Sequence, residues 1–462
     1  MSGQSRRTML KRTGIAATAV ITPGIGVAST GRDRRSNRRK ARVRGRLDPL
    51  GQALTPAGNP NHVTYTFGHV TDDGQWGAAS SWPGESLVAS TLYDLSDLES
   101  PTLVHELDAP NEETRSNDMK FDPLREGLYV RALEANDAGA DDPIGLMGID
   151  IVDFGWADGS PETPEVIATL ETPRTGVHKL AEHPEEPIFY LIDKDPVEPG
   201  IIAVDVSDPR NPTIEAEFGP DGYCHDVAVE TGRDALHAAY IAGNNVGYAT
   251  FDLSDPRSPT ELGFFDYDEQ PDYTEVGEPG FELCHQAYPD PERELAIVGD
   301  EVFGPIPGGK HIFDVGWGDG SLEDPQPIGF TTSPDARHQG EEPGTWTGHF
   351  HDVVYDRGEA LLIDGGYSNG AWIANITDPT NPTPTERYAT NHGIEDVTPF
   401  AWGAVYNEAR DFAFVTDSDT SAYTFDVSGK PARGKDGGGP GHYFDFDDLF
   451  GDDSASIERV GR

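Results

Sequence analysis

The chain has 462 residues, long enough for a repeat array or two domains, and its 81 acidic against 34 basic residues give a formal charge of −47. Such a surface repels nucleic acid and anionic membrane, so neither is expected as a partner; its lysine-poor acidity matches a protein soluble in high salt, which screens the self-repulsion. With 36% hydrophobic and 9% aromatic residues a disordered acidic chain is excluded, and with only two cysteines so is a disulfide-built scaffold.

The charge is uneven. Residues 1–46 hold 13 Lys and Arg and one acid, Asp33, which leaves 21 basic against 80 acidic groups beyond them. "SRRTMLKRTG" is a twin-arginine export motif, followed by the mildly apolar "IAATAVITPGIGVA" and small residues around Ala28. Residues 1–30 therefore read as an export signal. Residues 31–60, with the polybasic "RDRRSNRRKARVRGR", read as a basic flexible linker, 61–446 as the folded body and 447–462 as an acidic flexible tail. No other segment is apolar enough to span a membrane, so the expected location is extracytoplasmic, secreted or at the cell surface.

Within the body one phrase recurs: "YDLSDLESPT", "VDVSDPRNPT", "FDLSDPRSPT", "ANITDPTNPT" and the degenerate "FDVSGKPARG", with two expanded copies, "IDIVDFGWADGSPETPEV" and "FDVGWGDGSLEDPQPI". Anchored on the first acid or amide these are Asp94, Asp150, Asp205, Asp252, Asp314, Asn375 and Asp426. Asp and Ser side chains cap turns, and Pro lacks a donor, so the phrase stops strand pairing. Each unit reads as four strands. In the fourth copy "HDVAV" leads to "ALHAAYIAG", a turn at "GNN", "VGYATFDLS", the turn "DPRSP" and "TELGFFD". The expected fold is all-β, a seven-bladed β-propeller of four-stranded blades, with early material at "HVTYTFGHV" (62–70) pairing with the last blade to lock the ring.

The phrase "IIAVDVSDPRNPTIEAEF" resembles the repeat of the LVIVD-repeat family, exported proteins expected to be β-propellers and mostly without an assigned activity. The resemblance runs through roughly residues 75–445 and implies architecture more than chemistry, since propellers host binding scaffolds and enzymes alike.

The start of each unit carries the chemical clue. Aligned by distance from the following apolar run, the units place His178 ("GVHKL"), His225 ("YCHDV"), His285 ("LCHQA") and His351 ("FHDVV") at one register, with Asn117, Trp402 and Trp76 in the others. First strands line a propeller's channel, so these imidazoles are expected to converge near the axis and to suit Fe, Cu, Zn or Mn, with His349 and Glu282 as further donors. Cys224 and Cys284 precede two of these histidines and, by period-two alternation, are expected to face away from the imidazoles, as buried thiols rather than as a bridge or as metal ligands. The competing reading makes the register a hydrogen-bonding position inherited by duplication, with Asp226 and Asp352 bonding the neighbouring blade's backbone.

Two functions follow. One is an exported, salt-adapted, monomeric binding scaffold whose propeller face takes a protein, a glycan or a small molecule. The alternative is a metal-dependent oxidative enzyme with its ion on the axis.

Overall fold

The computed structural model describes residues 45–429 except 54–61, 137–143, 173–175, 196, 269–280, 303–307, 335–345 and 392–397; the stretches read as an export signal, 1–30, and as an acidic tail, 447–462, lie outside the described residues. Among the described residues no helix is long and apolar enough to cross a membrane. The chain is all-β. Among the described residues its strands form six antiparallel meanders: four sheets of four strands, one of five whose innermost strand is split, and one of eight. The eight-stranded sheet is two runs of four that touch through a single parallel pairing, Phe350 with Gly403. The innermost strands are Val63–Val70, Met119–Phe121, Val177–Glu182, Tyr223–Glu230, Cys284–Pro289, Phe350–Asp356 and Ala401–Asn407.

Apolar packing links each group of strands to the next. Ile188, Tyr190 and Ile201 meet Leu236 and Tyr240; Tyr248 meets Val298 and Phe313; Leu295 and Ile297 meet Leu362 and Trp372. The series returns on itself, because Phe412 and Phe414 of the last group pack on Tyr65, Ala79 and Tyr93 of the first. Each such large side chain removed from water contributes about 1.5–3 kcal/mol before entropy is counted. This is the packing of a β-propeller.

Two polar devices repeat with the sheets. Arg125, Arg233, Arg293 and Arg410 each donate to the carbonyl of the residue just after a phrase's acid or amide in the next group: Val206, Val315, Ile376 and Leu95. The pair Arg410 and Leu95 joins last group to first, so the same latch closes the series. The position after the histidine register stitches neighbouring inner strands, as the competing reading expected. Asp118 accepts the Leu180 N–H, Asp226 the Ala287 N–H and Asp352 the Tyr406 N–H.

Three boundaries differ from the sequence reading. The strand added to the outer edge of the last group is Arg46–Ala53, paired with Ser421–Ser428, inside the stretch read as linker. Val63–Val70 is instead the inner strand of the first sheet, so Trp76 opens its second strand rather than its first. In the second unit the phrase is anchored at Asp153, which accepts the N–H groups of Gly155 through Gly159, while Asp150 faces inward and binds Arg131. The extra residues of the expanded copy hide that offset in the sequence.

Candidate functional site

The histidine register lands on a backbone irregularity. Val177–Glu182 skips pairing between Val177 and Leu180, Tyr223–Glu230 between Cys224 and Asp226, and Cys284–Pro289 between Cys284 and Gln286. His178, His225 and His285 are thus bulge residues, and a bulge re-aims the side chain it carries. They form a row at the hub: ring centroids lie 4.9 Å apart for His178 and His225, and 3.9 Å apart for His225 and His285.

His351 does not join them. Phe350–Asp356 pairs without a bulge, Phe350 with Gly365 and His351 with Asp364, so the register slips by one residue relative to its neighbours. Phe350 takes the hub position, 4.9 Å from the His285 ring, and His349 completes the row, 4.5 Å from His285. His351 faces a different chamber below. Glu282 is also misplaced by the sequence reading. It is exposed, and its own N–H donates to Asp300.

The carboxylate at the row is Glu301. Its oxygens stand 3.6 Å from His285 Nε2 and 3.7 Å from His349 Nε2, and these three residues offer donor atoms all within 4.8 Å of one another. Donors about 2.0–2.2 Å from a shared ion stand about 3–3.5 Å apart, so a small contraction suffices. Burial pushes the Glu301 carboxyl up to about 7, the Tyr367 hydroxyl and the Lys194 ammonium opposing it. Tyr367 donates to Glu301 at 2.5 Å and lies 2.9 Å from His349 Nε2. Its backbone sits at φ 34, a left-handed conformation rare for a large side chain and costing about 1–3 kcal/mol. Two backbone bonds to Ala401 hold it there.

Tautomers are fixed from outside the row. His349 Nδ1 donates to the Trp402 carbonyl and His225 Nδ1 to the His285 carbonyl at 3.1 Å, so each keeps its lone pair on Nε2. His178 is spent differently. Its Nδ1 donates to Glu134 at 3.0 Å and its Nε2 accepts the Asn117 amide at 3.1 Å. Burial holds His178 down to about 4 and His225, His285 and His349 well below the usual imidazole range, so all four are neutral ligand-type bases near neutral pH. His285 Nδ1 is buried without a partner among the described residues. The phenolic hydrogen of Tyr367 faces two acceptors, Glu301 and His349 Nε2.

Glu301 and Tyr367 belong to a second register. Six residues beyond the partner of each phrase's Asp or Asn come Trp82, Glu134, Lys194, Ile241, Glu301 and Tyr367. Aligning the ends of the second strands would have found it. Glu134, fully buried, takes Lys194 at 2.7 Å and Arg115 at 2.9 Å as well as the His178 N–H; against the opposing pull of burial, the two cations and that hydrogen bond bring its carboxyl well below the ordinary range. Cys224 and Cys284 are free and buried, their thiols pushed up by burial.

No family model matches the chain, and no curated protein matches it. Among solved structures it is similar to a functionally unknown protein from Desulfotomaculum acetoxidans, at 11% identity and TM-score 0.49 over 71% of this chain and 86% of that one. It is also similar to the β-propeller domain of Cps50 (Swd1) from Myceliophteria thermophila, at 10% identity and TM-score 0.49 over 79% of this chain and 96% of that one.

Proposed function

We propose that the chain is a seven-bladed β-propeller of the LVIVD-repeat kind, exported by the twin-arginine route, whose hub binds a divalent first-row transition metal for oxidative chemistry on a small substrate. The blade count is supported by the seven phrases, and export by Arg6 and Arg7 in the leading motif. The metal reading rests on one observation: His285, His349 and Glu301 bring two imidazoles and a carboxylate together in a buried hub. That donor set with open positions suits iron(II) best, and a bound ion would activate oxygen or polarise a substrate there. The His225 ring centroid lies 3.9 Å from that of His285, and Tyr367 bonds both Glu301 and His349. Elemental analysis tests the assignment. The purified protein retains about one metal ion per chain, the His285→Ala, His349→Ala double variant retains none, and His351→Ala retains the full amount. Equal, substoichiometric metal in all three would remove the reading.

The binding-scaffold reading is favoured by a separate feature. Trp156 and Trp317 are 38% and 50% exposed on matching loops, "GWADGS" and "GWGDGS", whose backbones are pinned to Asp153 and Asp314. Exposed indoles on pinned loops suit a docking partner, a protein or a glycan of the envelope. Under this reading a Trp156→Ala, Trp317→Ala variant loses retention on isolated envelopes while the metal-site double variant keeps it.

A further inference from the structure

The hub has a second chamber on the far side of Phe67 and Phe350. It is a cavity of about 140 Å³ lined by Lys120, Lys179, Asp226, Gln286, His351 and Asp352 among others. His351 is 2% exposed there, and neither ring nitrogen has a hydrogen-bond partner among the described residues. Gln286 is held in place: its oxygen accepts the His351 N–H and the Lys310 ammonium, and its amide donates to the His351 carbonyl. An orphaned imidazole beside open volume needs an occupant that can both accept from it and donate to it.

The charges around the chamber say which kind. Lys120 is committed to Asp118 at 2.8 Å, and Lys179 is shared at 3.4 Å between Asp118 and Asp226 while lying 3.5 Å from the Phe67 ring. Glu182 has His69 at 3.3 Å. Among the described residues Asp352 has backbone donors, Tyr406 N–H at 2.8 Å and Val353 N–H at 2.7 Å, and no ion pair with a lysine or arginine. The lining thus sets two ammonium groups, Lys120 and Lys179, against three carboxylates, Glu182, Asp226 and Asp352; both lysines are also drawn by Asp118 outside the lining, and the Lys310 ammonium behind Gln286 is paired with Asp364. Burial pushes the carboxyls of Asp226 and Asp352 up to about 6, against the opposing pull of Lys179 and Lys120 at Asp226 and of the backbone donors at Asp352.

We propose that this chamber binds a monovalent cation, sodium or potassium, with part of its hydration shell. At about 30 Å³ per water the volume admits one ion with a few waters, and those waters satisfy the His351 ring. A divalent ion fits less well. The hub trio of His285, Glu301 and His349 is the one set of three close metal-type donors among the described residues, and the chamber contains none. The site is independent of the transition-metal reading, sharing no ligand with it.

The test is thermal unfolding of the full chain at one fixed, high ionic strength, in potassium chloride or in the chloride of bulky N-methylglucamine. Potassium raises the wild-type Tm by about 3–5 °C over the bulky cation. Asp352→Asn and His351→Gln each lose most of that increment, whereas any general effect on the acidic surface persists in both. A wild-type Tm that ignores cation identity, or variants that keep the whole increment, would overturn the proposal. Crystals of the wild-type protein grown with rubidium give a reading that needs no variant: an anomalous peak beside Asp352 supports the site, and an empty chamber refutes it.

Discussion

His285 and His351 stand at the same place in the repeat and at different places in the molecule. One is an extra residue in a bulged strand and points into the row of imidazoles; the other sits in a regularly paired strand and points into the chamber below. The difference is one backbone insertion, not a difference in side chain. A repeat alignment therefore predicts which residues are equivalent in ancestry, while the bulge decides which are equivalent in space.

What keeps Phe350–Asp356 unbulged is visible beneath it. The Lys310 ammonium, with no exposure, pairs with Asp364 at 2.8 Å and donates to the Gln286 side chain and to the His349 carbonyl. Asp364 in turn accepts the His349 N–H at 3.2 Å. The pair fixes both ends of the residue that enters the hub. Lys310→Met strands a buried carboxylate and is expected to cost about 3–5 kcal/mol in chemical denaturation. It also lowers metal content, because His349 loses its anchor. A variant as stable as wild type would show that the strand's register is set elsewhere.

The next effect concerns Glu301. Its carboxyl, at about 7 in the fold against an ordinary value near 4.5, is stabilised by protonation. The folded state therefore holds its full advantage below pH 4.5 and loses it as pH rises through 7. In chelator-treated protein this removes roughly 2–3 kcal/mol of stability between pH 5 and 8, seen as a falling Tm, and Glu301→Gln flattens that slope. The same variant is expected to weaken metal binding by about 10–100-fold in a competition assay, whereas Glu282→Gln leaves it unchanged. Identical slopes in wild type and Glu301→Gln would place the titration on another group.

Strand order, turn chemistry and three of the four row members were legible in the sequence, because period-two runs and Asp-Pro turns are local signals. His178, His225 and His285 share a strand position that spacing alone recovers. His349 was noticed only as a neighbour of His351, since nothing in "GHFHDVV" announces a missing bulge. Glu301 and Tyr367 lay in another strand, outside the register being compared. They become visible only when the second strands are aligned on their pairing with the phrase. The closing strand Arg46–Ala53 was hidden for a compositional reason: it adjoins a run of arginines that reads as solvent-exposed linker. Its pairing with Ser421–Ser428 is a contact across nearly the whole chain, which no local pattern encodes.

The latches offer the smallest and cleanest comparison. Arg293 and Arg410 make the same bond, to Ile376 and to Leu95, but one joins neighbours in sequence and the other joins the chain's two ends. In the folded state each latch is a partly buried charge-assisted hydrogen bond, so Arg410→Ala should lower equilibrium stability by about 1–2 kcal/mol, and Arg293→Ala, which also strips Asp290 of its ion pair, by somewhat more. Kinetically they differ. Closing the ends forms the longest loop and is expected late in folding, so Arg410→Ala chiefly speeds unfolding while Arg293→Ala also slows refolding. Stopped-flow measurement of both limbs decides this. Equal changes in the two unfolding rates would mean that the ring opens anywhere, and that the seam between Leu95 and Arg410 is no weaker than the joints within it.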